Sequence, residues 1–321
     1  MLSLGAGQTP FRVDVKLIDV SVSVRDGEGR LVTDLGQDDF DISEDGAPQK
    51  IAFFARSQDV PLNLGFIVDF SGSQDPFIKP HHRDLETFLG SVLGPADRAF
   101  LLCFGNYLRL TNEFTSSPKE LLAGLQAYEK GNRGFPELGP IEDRSAGTAF
   151  YDAIYYSATE MLAKAEHGRR ALIVFSDGED NSSAHNMMET LETAQSNDVV
   201  LYGIRYTDVK NGRLNSRNKY GTSVMERLAR DTGGVDFDAR KTDMASEFKS
   251  IGEQLRSSYI GRQANTTLGK RNLISDTTLG CGVRLQKESR GAQQGPGARG
   301  RGKQVTHFSW ELGFLRRRRT A

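Results

Sequence analysis

The chain has 321 residues, with 41 Lys+Arg against 42 Asp+Glu, and its side chains are 37% hydrophobic and 26% charged. This is not the composition of a wholly disordered or collagen-like chain, and the length allows about two domains, one with a sizeable core. Two cysteines (Cys103 and Cys281) and five scattered histidines exclude a disulfide scaffold, a Cys-rich zinc site and a His-built metal centre, and no run of about 18 apolar residues reads as a transmembrane segment.

Residues 1–10 begin with a short apolar stretch followed by Gly5-Ala6-Gly7, which reads as the end of a signal peptide or as a frayed terminus. Residues 11–58 read as a small β module. Phe11, Val13, Val15 and Leu17 alternate with polar positions, and the phase then slips to Val20, Val22 and Val24, the mark of a β-bulge. Asp26-Gly27 and Glu44-Asp45-Gly46 are turn signals, Phe40 and Ile42 alternate with acidic and hydroxyl residues, and Ile51 and Phe53 start a further strand. A module of about 45 residues is marginal alone and must pack on something else.

Residues 59–260 switch to an α/β pattern. Leu62–Val68 is almost wholly apolar, as expected of a central parallel strand covered on both faces. Leu85, Phe88, Leu89 and Val92 then mark a helix, Phe100–Phe104 a second buried strand, and Leu108–Leu110 a short edge strand. Ser117-Pro118-Lys119-Glu120 reads as a capping box with Pro at the first helical position, ahead of Leu121, Leu122, Leu125 and Tyr128. Residues 131–147 read as loop, and Phe150 to Leu162 as an amphipathic helix. Ala171–Phe175 and Val199–Ile204 are strands around a helix carrying Met187, Met188, Leu191 and Ala194. A polar loop at 207–220 precedes a helix with Val224 and Leu228, a strand at Val235–Phe237 and a last helix with Met244, Phe248, Ile251 and Leu255. Strands alternating with helices predict a doubly wound, mostly parallel Rossmann-like α/β sheet with helices on both faces.

Charge divides the chain. Residues 1–260 carry a net −11 and residues 261–321 a net +10. The tail 261–321 contains a Gly/Arg run at 291–302 and ends near Arg316–Arg319, a composition that reads as disordered and basic. A nucleic-acid arm is the alternative, but Phe308, Trp310 and Phe314 do not interleave with the Gly/Arg run, so nucleic-acid binding is not expected.

In an open α/β sheet, ligands bind beyond the carboxyl ends of the strands. Here those ends carry oxygen donors in three places: Asp69-Phe70-Ser71-Gly72-Ser73, Gly147-Thr148, and Ser176-Asp177-Gly178-Glu179-Asp180. Two carboxylates and three hydroxyls suit a hard cation such as Mg²⁺, which takes about six oxygens and keeps waters readily. Gly72 and Gly147 would let the backbone approach closely. Singly, each piece reads as a turn or helix cap; jointly, in order and at three strand ends, they read as a metal site.

Asp69-x-Ser71-x-Ser73, Thr148 and Asp177 resemble the metal-ion-dependent adhesion site of von Willebrand factor type A (VWA) domains, over about residues 60–258. Val20–Val32, Asp38–Gly46 and Gly147–Ala153 are similar to bacterial, acidobacterial-type VWA-related proteins. The resemblance implies that Asp69, Ser71, Ser73 and Thr148 ligate the metal and that Asp177 does so directly or through water. It implies Mg²⁺, with Mn²⁺ or Ca²⁺ as alternatives, and a protein ligand presenting Asp or Glu. It also implies export to an extracellular, periplasmic or cell-surface setting. Members of this group continue past the last helix into a strand of the form Tyr-x-x-Gly-Tyr. Here Ser258-Tyr259-Ile260 begins that phrase and the pattern is lost at Gly261, as a shifted reading frame would produce. The expectation is that residues after about 260 are not a selected fold, that the β module keeps an unpaired edge, and that truncation at 260 does not worsen solubility.

An enzyme is the competing reading, with Asp69 as a phosphoryl-accepting nucleophile or a metal-dependent hydrolase; an inert structural domain is the third. No Walker loop, GxGxxG or GxSxG follows any strand, and no general base is evident, so a non-enzyme is expected. The remaining polar candidates have plain readings. Asp75 is expected in a solvated loop, Glu179 and Asp180 in a solvated acidic loop or, as the alternative, behind the metal ligands, His81-His82 at an exposed helix start, and Met187-Met188 in the core. Cys103 reads as a buried small hydrophobe, and Asp152 either complements its helix dipole or supports the metal loop.

Overall fold

The computed structural model describes residues 16–22, 24, 32, 34–44, 47–57, 61–140, 146–165, 168–207, 214–256, 258–265 and 281–285. The leader-like residues 1–10, the alternating Phe11–Val15, the Gly/Arg run and the terminal arginines lie outside them.

The N-terminal part supplies strands β1 (Lys16–Val22), β2 (Phe40–Glu44), β3 (Ala47–Gln49) and β4 (Ile51–Ser57). Val24, Leu35, Phe40 and Ile51 form its small buried core, with Phe40 and Phe54 rings 5.5 Å apart. The α/β part follows as β5 (Leu62–Asp69), α1 (Ile78–Val92), β6 (Arg98–Phe104), β7 (Leu108–Thr115), α2 (Pro118–Glu129), α3 (Phe150–Tyr156), β8 (Arg169–Ser176), α4 (Met187–Ser196), β9 (Val199–Arg205), α5 (Ser216–Asp231), β10 (Asp236–Asp238) and α6 (Met244–Arg256). Two later strands, β11 (Ser258–Asn265) and β12 (Cys281–Leu285), complete the described elements.

The central sheet has the order β10-β9-β8-β5-β6-β7, parallel except for β7. This is the doubly wound α/β fold expected from the pattern. The period-2 alternation of β5 decides which helix covers which face. Leu64, Phe66 and Val68 join Leu85, Phe88, Leu121, Phe248 and Ile251 of α1, α2 and α6. Ile67 joins Leu172, Val174, Phe150, Ile154, Leu191 and Val224 on the other side, under α3, α4 and α5. Every residue of β5 is buried, which is why its sequence reads as one apolar run. The order reverses at β5, with β6 on one side and β8 on the other, so the switch point lies at the carboxyl ends of β5 and β8.

Several local expectations change. The tail does not stop pairing at residue 260. β11 lies between β1 and β4, antiparallel to both, and β12 pairs with β2. The β module is therefore assembled from both ends of the described chain rather than from 11–58 alone, and the expected unpaired edge is occupied. Backbone ladder bonds do not require apolar alternation, so the Gly, Arg and Gln of β11 hid a strand from a hydrophobicity reading. The β1–β11 ladder runs in unbroken register from Lys16↔Asn265 to Val22↔Tyr259, so the bulge expected after Leu17 is absent there; the register shift falls at Arg262/Gln263 opposite β4. Helix α5 begins at Ser216, inside the expected 207–220 loop, because the Asn215 side chain accepts from the Asn218 amide and caps it. Ser117 caps α2 through the Glu120 amide, but the Glu120 carboxylate accepts from the Thr115 hydroxyl instead of closing a capping box. Helix α3 gives way to a π turn at Ser157–Met161 before Leu162. Met188 is 44% exposed, not core. Among the described residues, no helix is long and apolar enough to cross a membrane.

His81, expected at the surface, is 1% exposed on α1, with its ring 4.5 Å from Tyr206 and 6.0 Å from Phe175, and neither ring nitrogen has a partner. Burial pushes its pKa down to about 3. Tyr206 donates to Asp84, itself paired with Arg83, so the nearby charges are already engaged. Below the ordinary pKa of 6.5 the unfolded chain binds a proton that folded His81 excludes. Stability is therefore full above pH 6.5 and falls by up to about 1.4 kcal/mol per unit between about 6.5 and 3. Urea melts of wild type and His81→Phe at pH 7 and pH 5 check this. The variant should lose less on acidification, and equal slopes would contradict the assignment.

Candidate metal centre

The first loop begins at the end of β5. Asp69 is fully buried; one carboxylate oxygen accepts from the Ser71 amide at 2.8 Å, and the other accepts from the Ser176 hydroxyl at 2.6 Å. A 3-10 turn, Gly72–Phe77, then folds Ser73 back toward Ser71, their hydroxyl oxygens 3.2 Å apart. The Ser73 hydroxyl donates to Asp177 Oδ2 at 2.7 Å, across 104 residues of sequence. Asp177, 1% exposed at the end of β8, also accepts from the Glu179 amide at 3.1 Å. Asp69, Ser71, Ser73 and Asp177 thus form one hydrogen-bonded group at the switch point.

Thr148, 8% exposed, has no hydrogen bond to these four; its backbone is tied to the residues that follow Asp177. Its amide donates to Asn181 Oδ1 at 2.7 Å and its carbonyl accepts from the Asn181 and Ser182 amides, tying the second loop to the third. The Ala149 amide donates to Gly105 O, and the Phe70 amide to Phe104 O, so the second and first loops both rest on the end of β6. Gly147 has φ +119, and a Cβ there would stand 2.5 Å from Asn181 Oδ1, so close approach is required as expected. Gly72 has nothing within 4 Å of a built Cβ; the same expectation for it does not hold.

Three groups at the site were not singled out from sequence. Ser176 holds Asp69. Gln74, wholly buried, donates from Nε2 to Asp177 Oδ2 at 2.8 Å and to Tyr206 O at 3.3 Å, and its Oε1 has no partner. Asn181 bridges two loops. Their signal was adjacency to the DxSxS and strand-end motifs, but only the fold says which neighbour turns inward. The outer acidic residues are also employed rather than solvated. Asp180 accepts from the Phe150 and Tyr151 amides at the start of α3, and from Ser183. Glu179 accepts from Asn218. Asp152, left open by sequence, supports the loop. It is buried and accepts from the Ala184 and His185 amides and from the His185 ring at 2.7 Å, with that ring stacked 3.6 Å over Tyr155.

The electrostatics of the pair are unfavourable without a cation. Burial pushes Asp69 up to about 7, against the pull of the Ser176 and Ser71 hydrogen bonds, and Asp177 repels it further. Among the described residues, no guanidinium, ammonium or imidazole pairs with either carboxylate. No group of three His, Cys, Asp or Glu converges among them, so a cation here would be held by two carboxylates plus hydroxyls. Hard oxygens of this kind suit Mg²⁺, Mn²⁺ or Ca²⁺ better than a soft metal. The residues present therefore fit a hard divalent ion.

No protein-family model matches the chain, and no curated protein matches it. Among solved structures, it is similar to an aerotolerance-related membrane protein from Bacteroides fragilis, at 16% identity and TM-score 0.44, over 60% of this chain and 98% of that one. It is similar to a von Willebrand factor type A protein from Catenulispora acidiphila, at 12% identity and TM-score 0.41, over 76% of this chain and 51% of that one. It is also similar to proximal thread matrix protein 1 from the mussel byssus with a zinc-occupied MIDAS motif, at 13% identity and TM-score 0.44, over 66% of this chain and 49% of that one. The match thus spans about half the length of each of the last two. At these scores the likeness adds no weight to the site, whose case rests on its own hydrogen bonds and burial.

Proposed function

We propose that the chain is a VWA-type, divalent-cation-dependent protein-binding domain, and that Asp69, Ser71, Ser73, Thr148 and Asp177 hold the ion. The observation that supports this most is the buried Asp69–Asp177 pair, bonded to hydroxyls on two loops and opposed by no cationic side chain among the described residues. Two like charges in a low-dielectric site are costly, and a bound Mg²⁺ offsets that cost. Bound there, the ion would supply a Lewis-acidic position for one further oxygen ligand, which we assign to an Asp or Glu side chain of a partner protein. Ser176 and Gln74 orient the two carboxylates, and Asp152 and Asp180 fix the third loop on α3. Binding rather than catalysis is our reading because no Walker loop, GxGxxG or GxSxG follows any strand and no general base is evident in the sequence. We place the domain outside the cytoplasm, in keeping with the setting that the sequence resemblance implies.

Mg²⁺ or Mn²⁺ at a saturating 100 Kd should stabilise the protein by about 2.7 kcal/mol, read as a rise in Tm of several degrees. Asp69→Ala and Asp177→Ala should each abolish the rise. Equal Tm in metal and in chelator would remove the reading, and turnover of a phosphate ester would favour the hydrolase alternative.

A further inference from the structure

Phe70, between the ligand positions Asp69 and Ser71, leads to a second charged feature. Its ring meets Tyr128 edge-on at 4.7 Å, and the guanidinium carbon of Arg133 lies 3.8 Å from the Tyr128 ring centroid. Arg133 is exposed, and its Nη1 is fixed by the carbonyls of Tyr128 and Asn132. Those contacts hold the guanidinium over the ring without neutralising it. Among the described residues, neither nearby carboxylate does so. Glu129 is turned to His82, at 3.1 and 3.3 Å from its Nδ1, and Glu137 pairs with Arg109. Arg109 in turn lies 5.0 Å over Tyr107, on the β6–β7 turn whose Gly105 receives the Ala149 amide beside Thr148. Burial raises the Tyr128 hydroxyl above its ordinary pKa, with smaller opposing contributions from Arg133 and Arg109 and a further raising one from Asp69.

We propose that this flank is a second subsite of the metal centre, and that the partner is an acidic peptide segment. One carboxylate would complete the ion, and a second, a few residues away, would bind Arg133 above Tyr128. The inference rests on the metal reading above. The occupant follows from charge complementarity: a guanidinium held by an aromatic face and two carbonyls, with its Nε and Nη2 hydrogens unpartnered among the described residues, is preorganised for a carboxylate. Half-buried Phe70 and Phe135 give the intervening residues an apolar floor. The net −11 of residues 1–260 makes a local cation here a discriminating feature rather than part of a general basic surface.

Calorimetric titration of the full chain tests this with two synthetic peptides, one holding a single Asp between glycines and one holding several Glu residues. Each is run with MgCl₂ and with EDTA, after direct Mn²⁺ titration. The polyacidic peptide should bind about tenfold tighter than the single-acid peptide in Mg²⁺. Arg133→Ala should erase that difference while leaving Mn²⁺ affinity unchanged, and Arg133→Lys should retain part of it. Normal Mn²⁺ binding with equal peptide affinities, or no binding of either peptide, overturns the subsite and leaves the metal reading intact. Failure of Mn²⁺ to bind overturns the metal reading, and the two-point subsite with it. A DNA oligonucleotide captured through Arg133 more tightly than the polyacidic peptide replaces the carboxylate partner with a phosphate one.

Discussion

Deleting residues 257–321 is expected to unfold the β1–β11–β4 sheet while leaving the doubly wound domain folded. β11 is the middle strand. It pairs with β1 from Lys16↔Asn265 to Val22↔Tyr259, and with β4 from Ser258↔Ser57 to Gln263↔Ile51. Without it, β1 and β4 lose their partner in that sheet and present open edges, which promote aggregation. Amide exchange reads the outcome locally. Protection across 16–22 and 51–57 should fall by on the order of a hundredfold or more, while β5, β6 and β8 keep theirs. Ile260→Pro is a milder version, since residue 260 faces both Ser21 and Ala55 and proline cannot donate to a ladder. Undiminished protection of both flanking strands in the truncated chain would refute the threaded arrangement. This reverses the expectation drawn from composition, that loss of the tail would leave solubility unharmed.

Asp97→Ala should cost about 3–5 kcal/mol, the usual range for breaking a buried ion pair from one side. Asp97 is wholly buried in the turn before β6. It accepts from the Leu62 amide at 2.9 Å, the Gly94 amide at 2.7 Å and Arg256 Nη1 at 3.3 Å, and Arg256 Nη2 also donates to Val92 O at 2.7 Å. One carboxylate thereby joins the start of β5, the end of α1 and the end of α6. Its removal strands two backbone donors and leaves the guanidinium without its counter-ion. Urea denaturation at pH 7 gives the number. The double variant Asp97→Ala/Arg256→Met should lose less than the sum of its singles, because the two residues share one interaction. A loss below about 1 kcal/mol for Asp97→Ala would show that the network contributes little.

Much of the fold was legible because its signals are local. β5 is buried on both faces, so its apolar run announced a central strand, and the 3.6-residue stripes of α1 and α6 announced helices. The DxSxS and Asp177 motifs were legible for a related reason, whereas Thr148 follows α2 and a loop, and only the fold sets it against Asn181. In a doubly wound sheet the residues after successive strands share one edge, so sequence order already implies proximity.

What the sequence by itself determined, then, was the α/β class, the central place of β5 and the edge place of β7, and a set of oxygen donors at strand ends. Tertiary structure alone decided the rest. It buried His81 against Tyr206, put Gln74 and Ser176 on the two carboxylates, joined Asp97 to Arg256, and set Arg133 over Tyr128 beside the site. It also turned a Gly- and Arg-bearing stretch into the middle strand of a sheet. These outcomes depend on partners far apart in the chain, Asp97 and Arg256 at 159 residues and Lys16 and Asn265 farther still, and on backbone hydrogen bonds indifferent to side-chain polarity. No local periodicity encodes either.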